Sequence, residues 1–141
     1  MSAETFIDTN VFIYHLDGSD PRKQAIAAGI VRDAISSGAA CVSFQVVQEC
    51  MNTALRKAAR PLKPEQIRPY LDVVLLPLMQ VLPSAALYHR ALDVQQRWHF
   101  SFYDALIVAA ALAAGCTRLL SEDLQHGQRI EALNVHNPFA T

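Results

Sequence analysis

Apolar residues fall at two periods along the chain, and the switches between them mark out the elements. Thr5 to Asp8 carries a short apolar run of the kind that makes a buried strand, and Asn10 to Leu16 continues as a short helix. Between them the stretch FIDTNVFIY puts three polar residues, Asp8, Thr9 and Asn10, in the middle of a buried-looking segment. Asp20 followed by Pro21 predicts a helix start. Ile26, Ile30, Val31, Ala34 and Ile35 recur at helical spacing, and Gly38 closes that helix. Ala40 to Ser43 reads as a second strand and Phe44 to Ala59 as a second long helix. Pro61 and Pro64 break the pattern, and Pro64 opens a helix with an apolar stripe through Ile67, Tyr70, Leu71, Val74, Leu75 and Leu78. Gln80 to Leu82 predicts a third strand. The following helix is lined by Leu87, Ala91, Val94 and Trp98, and the next runs from Phe102 to Ala114 and stops at Gly115. Arg118 to Ser121 predicts a fourth strand and Asn134 to His136 a weak fifth.

Strands alternating with helices imply an α/β layer fold around a mostly parallel sheet. At 141 residues the chain fits one domain, residues 1–141, able to bury a core without disulfides or structural metal. Met1 to Thr5 has neither the basic start nor the apolar stretch of a secretory leader. The longest apolar run, Ala105 to Cys116, falls short of the roughly 20 helical residues that span a bilayer. Cys41, Cys50 and Cys116 are odd in number and form no C-x-x-C pair, so reduced core thiols in a cytosolic protein are expected. His15, His89, His99, His126 and His136 show no zinc-ligand spacing.

The candidate chemistry lies in the acids. Right-handed crossovers put the C-terminal ends of parallel strands on one edge, where ligands bind. Asp8 ends the first strand, Glu49 lies early in the second long helix, Asp104 opens the helix before the fourth strand, and Asp123 follows that strand. All four are therefore expected at the same edge. Each also has an ordinary reading: Asp8 as a helix cap, Asp104 as part of an S-x-x-D capping pattern, Glu49 as a solvated helix residue and Asp123 as a turn residue. Gathered carboxylates repel one another unless protons or cations intervene, and hard divalent cations prefer carboxylate oxygen. Mg²⁺ or Mn²⁺ is the natural occupant. On this reading Asp8 ends its strand at the cation while Thr9 and Asn10 hold the turn around it.

The stretches FIDTNVFIY, Ser43 to Glu49, SFYDALIVAAAL and LLSEDLQHG match, in order, the acidic motifs of PIN-domain ribonucleases, and the chain resembles the VapC-type toxins of bacterial type II toxin–antitoxin pairs. The resemblance spans Phe6 to about Gln128. It implies a three-layer α/β/α sandwich with a mostly parallel sheet of four to five strands. Asp8, Glu49 and Asp104 correspond to the family's acidic triad and Asp123 to its more variable fourth acid; Ser121 stands where many relatives carry threonine. The activity implied is metal-assisted hydrolysis of RNA, with one or two ions held by Asp8, Asp104 and Asp123, and Glu49 or Asp104 handling the attacking water. Thr9, Asn10 and Ser121 would orient the carboxylates, and Glu122 is left open. A homodimer and a small antitoxin, whose tail covers the acidic groove with an Arg or Lys in the cation's place, are likewise implied.

The net charge of −1 argues against a nucleic-acid partner until the four acids are neutralised by cations, which turns the balance positive. Arg56 and Arg60 fall on the helical stripe beyond Glu49, flanked by Lys57 and Lys63, as a phosphate-contacting track or an ordinary solvated face. Phe100, Phe102 and Tyr103 flank Asp104 and serve either packing or base stacking. The apolar stretch Leu71 to Leu82 is either core or a packing surface for a partner. Three rival readings remain: a catalytically silent PIN-like binding module, a binding protein for an unrelated ligand, and a haloacid-dehalogenase-like phosphotransferase. The last wants a second Asp at position 10, which is Asn.

Overall fold

The computed structural model describes residues 3–141; Met1 and Ser2, at the head of the segment read for a leader, lie outside the described residues. The first strand, β1 (Thr5–Ile7), is wholly buried and ends where Asp8 caps α1 (Thr9–Leu16). Helix α2 (Pro21–Ser37) begins as expected, with Asp20 accepting from the Lys23 amide and Pro21 in the first turn. It ends at Gly38, whose φ of 68° is a left-handed cap that a side chain would strain. Strand β2 (Ala40–Ser43) runs directly into α3 (Phe44–Arg56).

Helix α3 stops short of the expected Ala59. The amides of Lys57 and Ala58 both donate to the Thr53 carbonyl, and Leu62 N reaches back to the Ala54 carbonyl, so the chain folds over the helix end. Pro61 disfavours helical geometry at Arg60. Arg60 therefore lies beyond the helix and off the helical stripe on which the sequence pattern placed it with Arg56.

Helix α4 (Pro64–Tyr70) contains Pro69, which lacks a donor. The ladder continues through a π-helical turn over Leu71–Leu75 and one short turn, α5 (Leu76–Leu78), into β3 (Met79–Val81). The Leu71 to Leu82 stretch proves two-faced: Val74, Leu75, Leu78 and Val81 join the core, while Val73, Leu76 and Leu82 are exposed. Helix α6 (Ala85–Trp98), capped by Ser84, packs on α7 (Phe102–Ala113), every residue of which from Ala105 to Ala111 is buried. Strands β4 (Arg118–Leu120), β5 (Arg129–Ile130) and β6 (Leu133–His136) complete the sheet.

The sheet has six strands in the order β3-β2-β1-β4-β6-β5, slightly more than the expected four to five. Five are parallel; β5, which the sequence pattern did not reveal, runs antiparallel to β6. From central β1 the chain builds outward through β2 and β3, then crosses to place β4 on β1's other side. The boundary between β1 and β4 is thus the point where the direction of winding reverses, the place where open α/β sheets form a ligand crevice. Asp8 and Ser121 emerge from these two strands side by side, and Asp8 N donates to the Leu120 carbonyl at 2.9 Å.

Candidate active site

A cleft of about 260 Å³ opens at that edge, and Asp8, Glu49, Asp104 and Asp123 all line it, together with Thr9, Asn10 and Lys57. The sequence expectation that four distant acids share one edge is met.

Each carboxylate is placed by a different local device. Asp8 is only 5% exposed. Its Oδ1 accepts from Thr9 N at 2.7 Å and its Oδ2 from Ser121 Oγ at 2.8 Å. The capping role and the site role coexist in one side chain. Burial pushes its carboxyl pKa up to about 6; Ser121 and Thr9 oppose the shift, and the charges of Asp123 and Glu49 add to it. Glu49, half-buried on α3, accepts from Thr9 Oγ1 at 2.9 Å, and Gln45 Nε2 lies 3.5 Å from its other oxygen. Asp123 is exposed, with Oδ1 accepting from Asn10 Nδ2 at 3.0 Å and its amide donating to Ser121 Oγ at 3.2 Å. Thr9, Asn10 and Ser121 thus each hold a carboxylate.

Asp104 differs. Ser101 caps α7 by accepting from the Asp104 amide at 3.2 Å, while the Asp104 carboxylate makes no hydrogen bond among the described residues. The capping pattern is real, but serine performs it and leaves the acid free for the cleft. Glu122 turns away from the cleft, toward Lys23 and Tyr14. Lys57, at the end of α3, lines the cleft, whereas Arg60 lines a separate cavity of about 510 Å³ with Ile13, Leu16, Ala54 and Leu62. That larger cavity is mainly apolar and holds none of the four acids, so its size does not make it the reactive site. Phe102 and Tyr103 are exposed and meet edge to face at 5.7 Å, while Phe100 packs against the core.

Among the described residues no three acidic, histidine or cysteine side chains stand close enough to hold a metal ion as placed. Asp8, Glu49 and Asp123 are instead held by hydrogen bonds from Ser121, Thr9 and Asn10. The donor chemistry is still selective. The groups lining the cleft that could ligate a metal are carboxylate, hydroxyl and amide oxygens, with no thiol or imidazole, and that set suits Mg²⁺ or Mn²⁺ better than zinc.

A sheet of this winding, with four carboxylates in the crevice where its direction reverses, defines an α/β protein with an acidic cleft at the switch point of its sheet. Residues 5–129 match the PIN domain family model, and the chain belongs to that family. No curated protein matches the sequence. Solved structures share the fold at low identity. The Mycobacterium tuberculosis toxin VapC20, described as cleaving the sarcin–ricin loop, is 18% identical, with 84% of this chain and 89% of that one covered and a TM-score of 0.63. VapBC2 from Rickettsia felis, solved on a promoter DNA fragment, is 18% identical over 94% of this chain and 97% of that one, with a TM-score of 0.66. A toxin–antitoxin complex from Klebsiella pneumoniae is 17% identical over 97% and 99%, with a TM-score of 0.65.

Proposed function

We propose that the protein is a Mg²⁺- or Mn²⁺-dependent endoribonuclease, acting in the cytoplasm as a VapC-type toxin that a cognate antitoxin neutralises. One observation carries the reading: four carboxylates from four separate elements line one cleft of a PIN fold, and the innermost is buried against its own charge preference. Asp8, Asp104 and Asp123 would hold the cation, with Glu49 beside them. A divalent ion in such a cluster supplies Lewis acidity toward water and phosphate. The chain's own residues do the rest. Ser121 and Thr9 fix the two oxygens of Asp8, and Thr9 also fixes Glu49. Glu49 or Asp104 accepts the proton of the attacking water; Asp104, with no partner of its own among the described residues, is the freer to move. Lys57 in the cleft and Arg56 one residue before it supply positive charge toward the RNA backbone.

The antitoxin rests on the likeness to toxin–antitoxin complexes and on the charge of the cleft, which would accept an Arg or Lys from an inhibitory tail. A homodimer would bury the exposed Val73, Leu76 and Leu82. The silent-module alternative has no support in the site, since all four acids line the cleft. RNA cleavage with Mg²⁺ or Mn²⁺ is the test. Wild type should cut, and Asp8→Ala and Asp104→Asn should each lose the activity. Cleavage that survives both substitutions would overturn the mechanism.

A further inference from the structure

Beside the cleft, outside the acidic site itself, Tyr14, Lys23 and Glu122 form a cluster. Tyr14 Oη donates to Glu122 Oε1 at 2.5 Å, and Lys23 Nζ donates to Glu122 Oε2 at 2.6 Å and to Tyr14 Oη at 3.1 Å. The ammonium also sits 4.6 Å from the centre of the Tyr14 ring and 5.8 Å from that of Phe139, and the two rings meet edge to face at 4.8 Å. The other ion pair among the described residues, Arg90 with Glu131, is looser at 3.7 Å and more exposed. An exposed pair of that sort contributes little. Lys23 and Glu122 are 26% and 24% exposed and are gripped from several sides, which fixes their geometry.

The position of Glu122 gives the cluster its meaning. Ser121, Glu122 and Asp123 leave β4 in succession, and no further strand or helix begins until Arg129. Ser121 points inward to Asp8, Glu122 to α1 and α2, and Asp123 to Asn10. Asn10 and Tyr14 stand four residues apart on α1, so they share one helix face. That face grips two consecutive acids, Asp123 through Asn10 and Glu122 through Tyr14, and Lys23 on α2 locks the second grip.

We propose that Tyr14, Lys23 and Glu122 are positioning residues: a latch that holds the Ser121–Asp123 segment against α1 and thereby sets the cleft's affinity for its divalent cation, without touching substrate. The latch deepens the nuclease reading and rests on it. Partners that orient metal-binding groups typically govern metal affinity or activity by about 10- to 100-fold.

The test is a Mn²⁺ titration read two ways, as cleavage of RNA and as calorimetric Mn²⁺ binding without RNA. Tyr14→Phe keeps the ring against Phe139 and loses only the hydroxyl; Glu122→Gln and Lys23→Met remove the charges. Each should weaken Mn²⁺ binding and raise the activation midpoint by about 10-fold, with KM for RNA unchanged and kcat recovered at saturating Mn²⁺. Lys23→Arg should restore the wild-type midpoint. Variants that melt earlier yet, while folded, bind Mn²⁺ as wild type does would overturn the latch alone. A wild-type protein that neither binds Mn²⁺ nor cuts RNA would overturn the nuclease reading and the latch with it.

Discussion

Asp8 carries a cost that the fold accepts. Its carboxyl pKa is raised from 3.8 to about 6, chiefly by burial, so at neutral pH the group is mostly ionised but its charge costs more in the folded protein than in the unfolded chain. The sign follows from the raised value. This group's contribution to stability is full below pH 3.8 and is lost as the pH climbs through about 6. At neutral pH the loss amounts to at most about 3 kcal/mol. In chelator, Asp8→Asn should therefore melt higher than wild type at pH 8, and the gap should close as the pH approaches 4; calorimetric melts across that range check it. The four acids themselves were legible in the sequence because each follows a strand or opens a helix at the same sheet edge. Glu122 and Arg60 were not. Which side of a loop Glu122 faces depends on Lys23, 99 positions away, and the direction of Arg60 on how the chain turns back over the end of α3.

At the scale of elements, α7 shows how a helix can be both core and chemistry. It is buried from Ala105 to Ala111, so its length was readable from its uncharged run, and its N-terminal end reaches the cleft through Asp104 and Ile107. Ser101, not Asp104, satisfies the helix start. Ser101→Ala should cost about 1 kcal/mol of stability, measured by denaturant unfolding, whereas Asp104→Ala, which breaks no hydrogen bond of its carboxylate among the described residues, should cost clearly less. Within the same helix, Ala109→Leu should destabilise by about 1–3 kcal/mol through overpacking. The elements that escaped the sequence pattern did so for identifiable reasons. Strand β5 is two residues long, and its hairpin places Glu131 at a φ of 54°, where a glycine or asparagine would have announced the turn. Helix α3 ends before Ala59 because the Lys57 and Ala58 amides both close on the Thr53 carbonyl and Pro61 disfavours helix at Arg60, a stop signal that the apolar spacing through Ala59 masked.

Over the whole molecule, the cleft collects repulsion that only a cation or a proton relieves. Binding one ligand at 100 times its dissociation constant adds about 2.7 kcal/mol of stability. Thermal melts should therefore rise by several degrees on adding Mn²⁺ to wild type, and Asp8→Asn should remove most of that rise. A protein whose melting ignores Mn²⁺ and Mg²⁺ would fit the unrelated-ligand reading instead. No helix among the described residues is long and apolar enough to cross a membrane, and Cys41, Cys50 and Cys116 are free and buried.

The seam between β1 and β4 joins residues near opposite ends of the sequence: Asn10 meets Asp123 across 113 positions. A ribosome making this polypeptide therefore releases Asp8 long before Asp104 and Asp123 emerge. The four-acid cleft cannot come together until β4 and the segment that follows it clear the exit tunnel, so a growing chain that has not reached that point lacks the complete cleft.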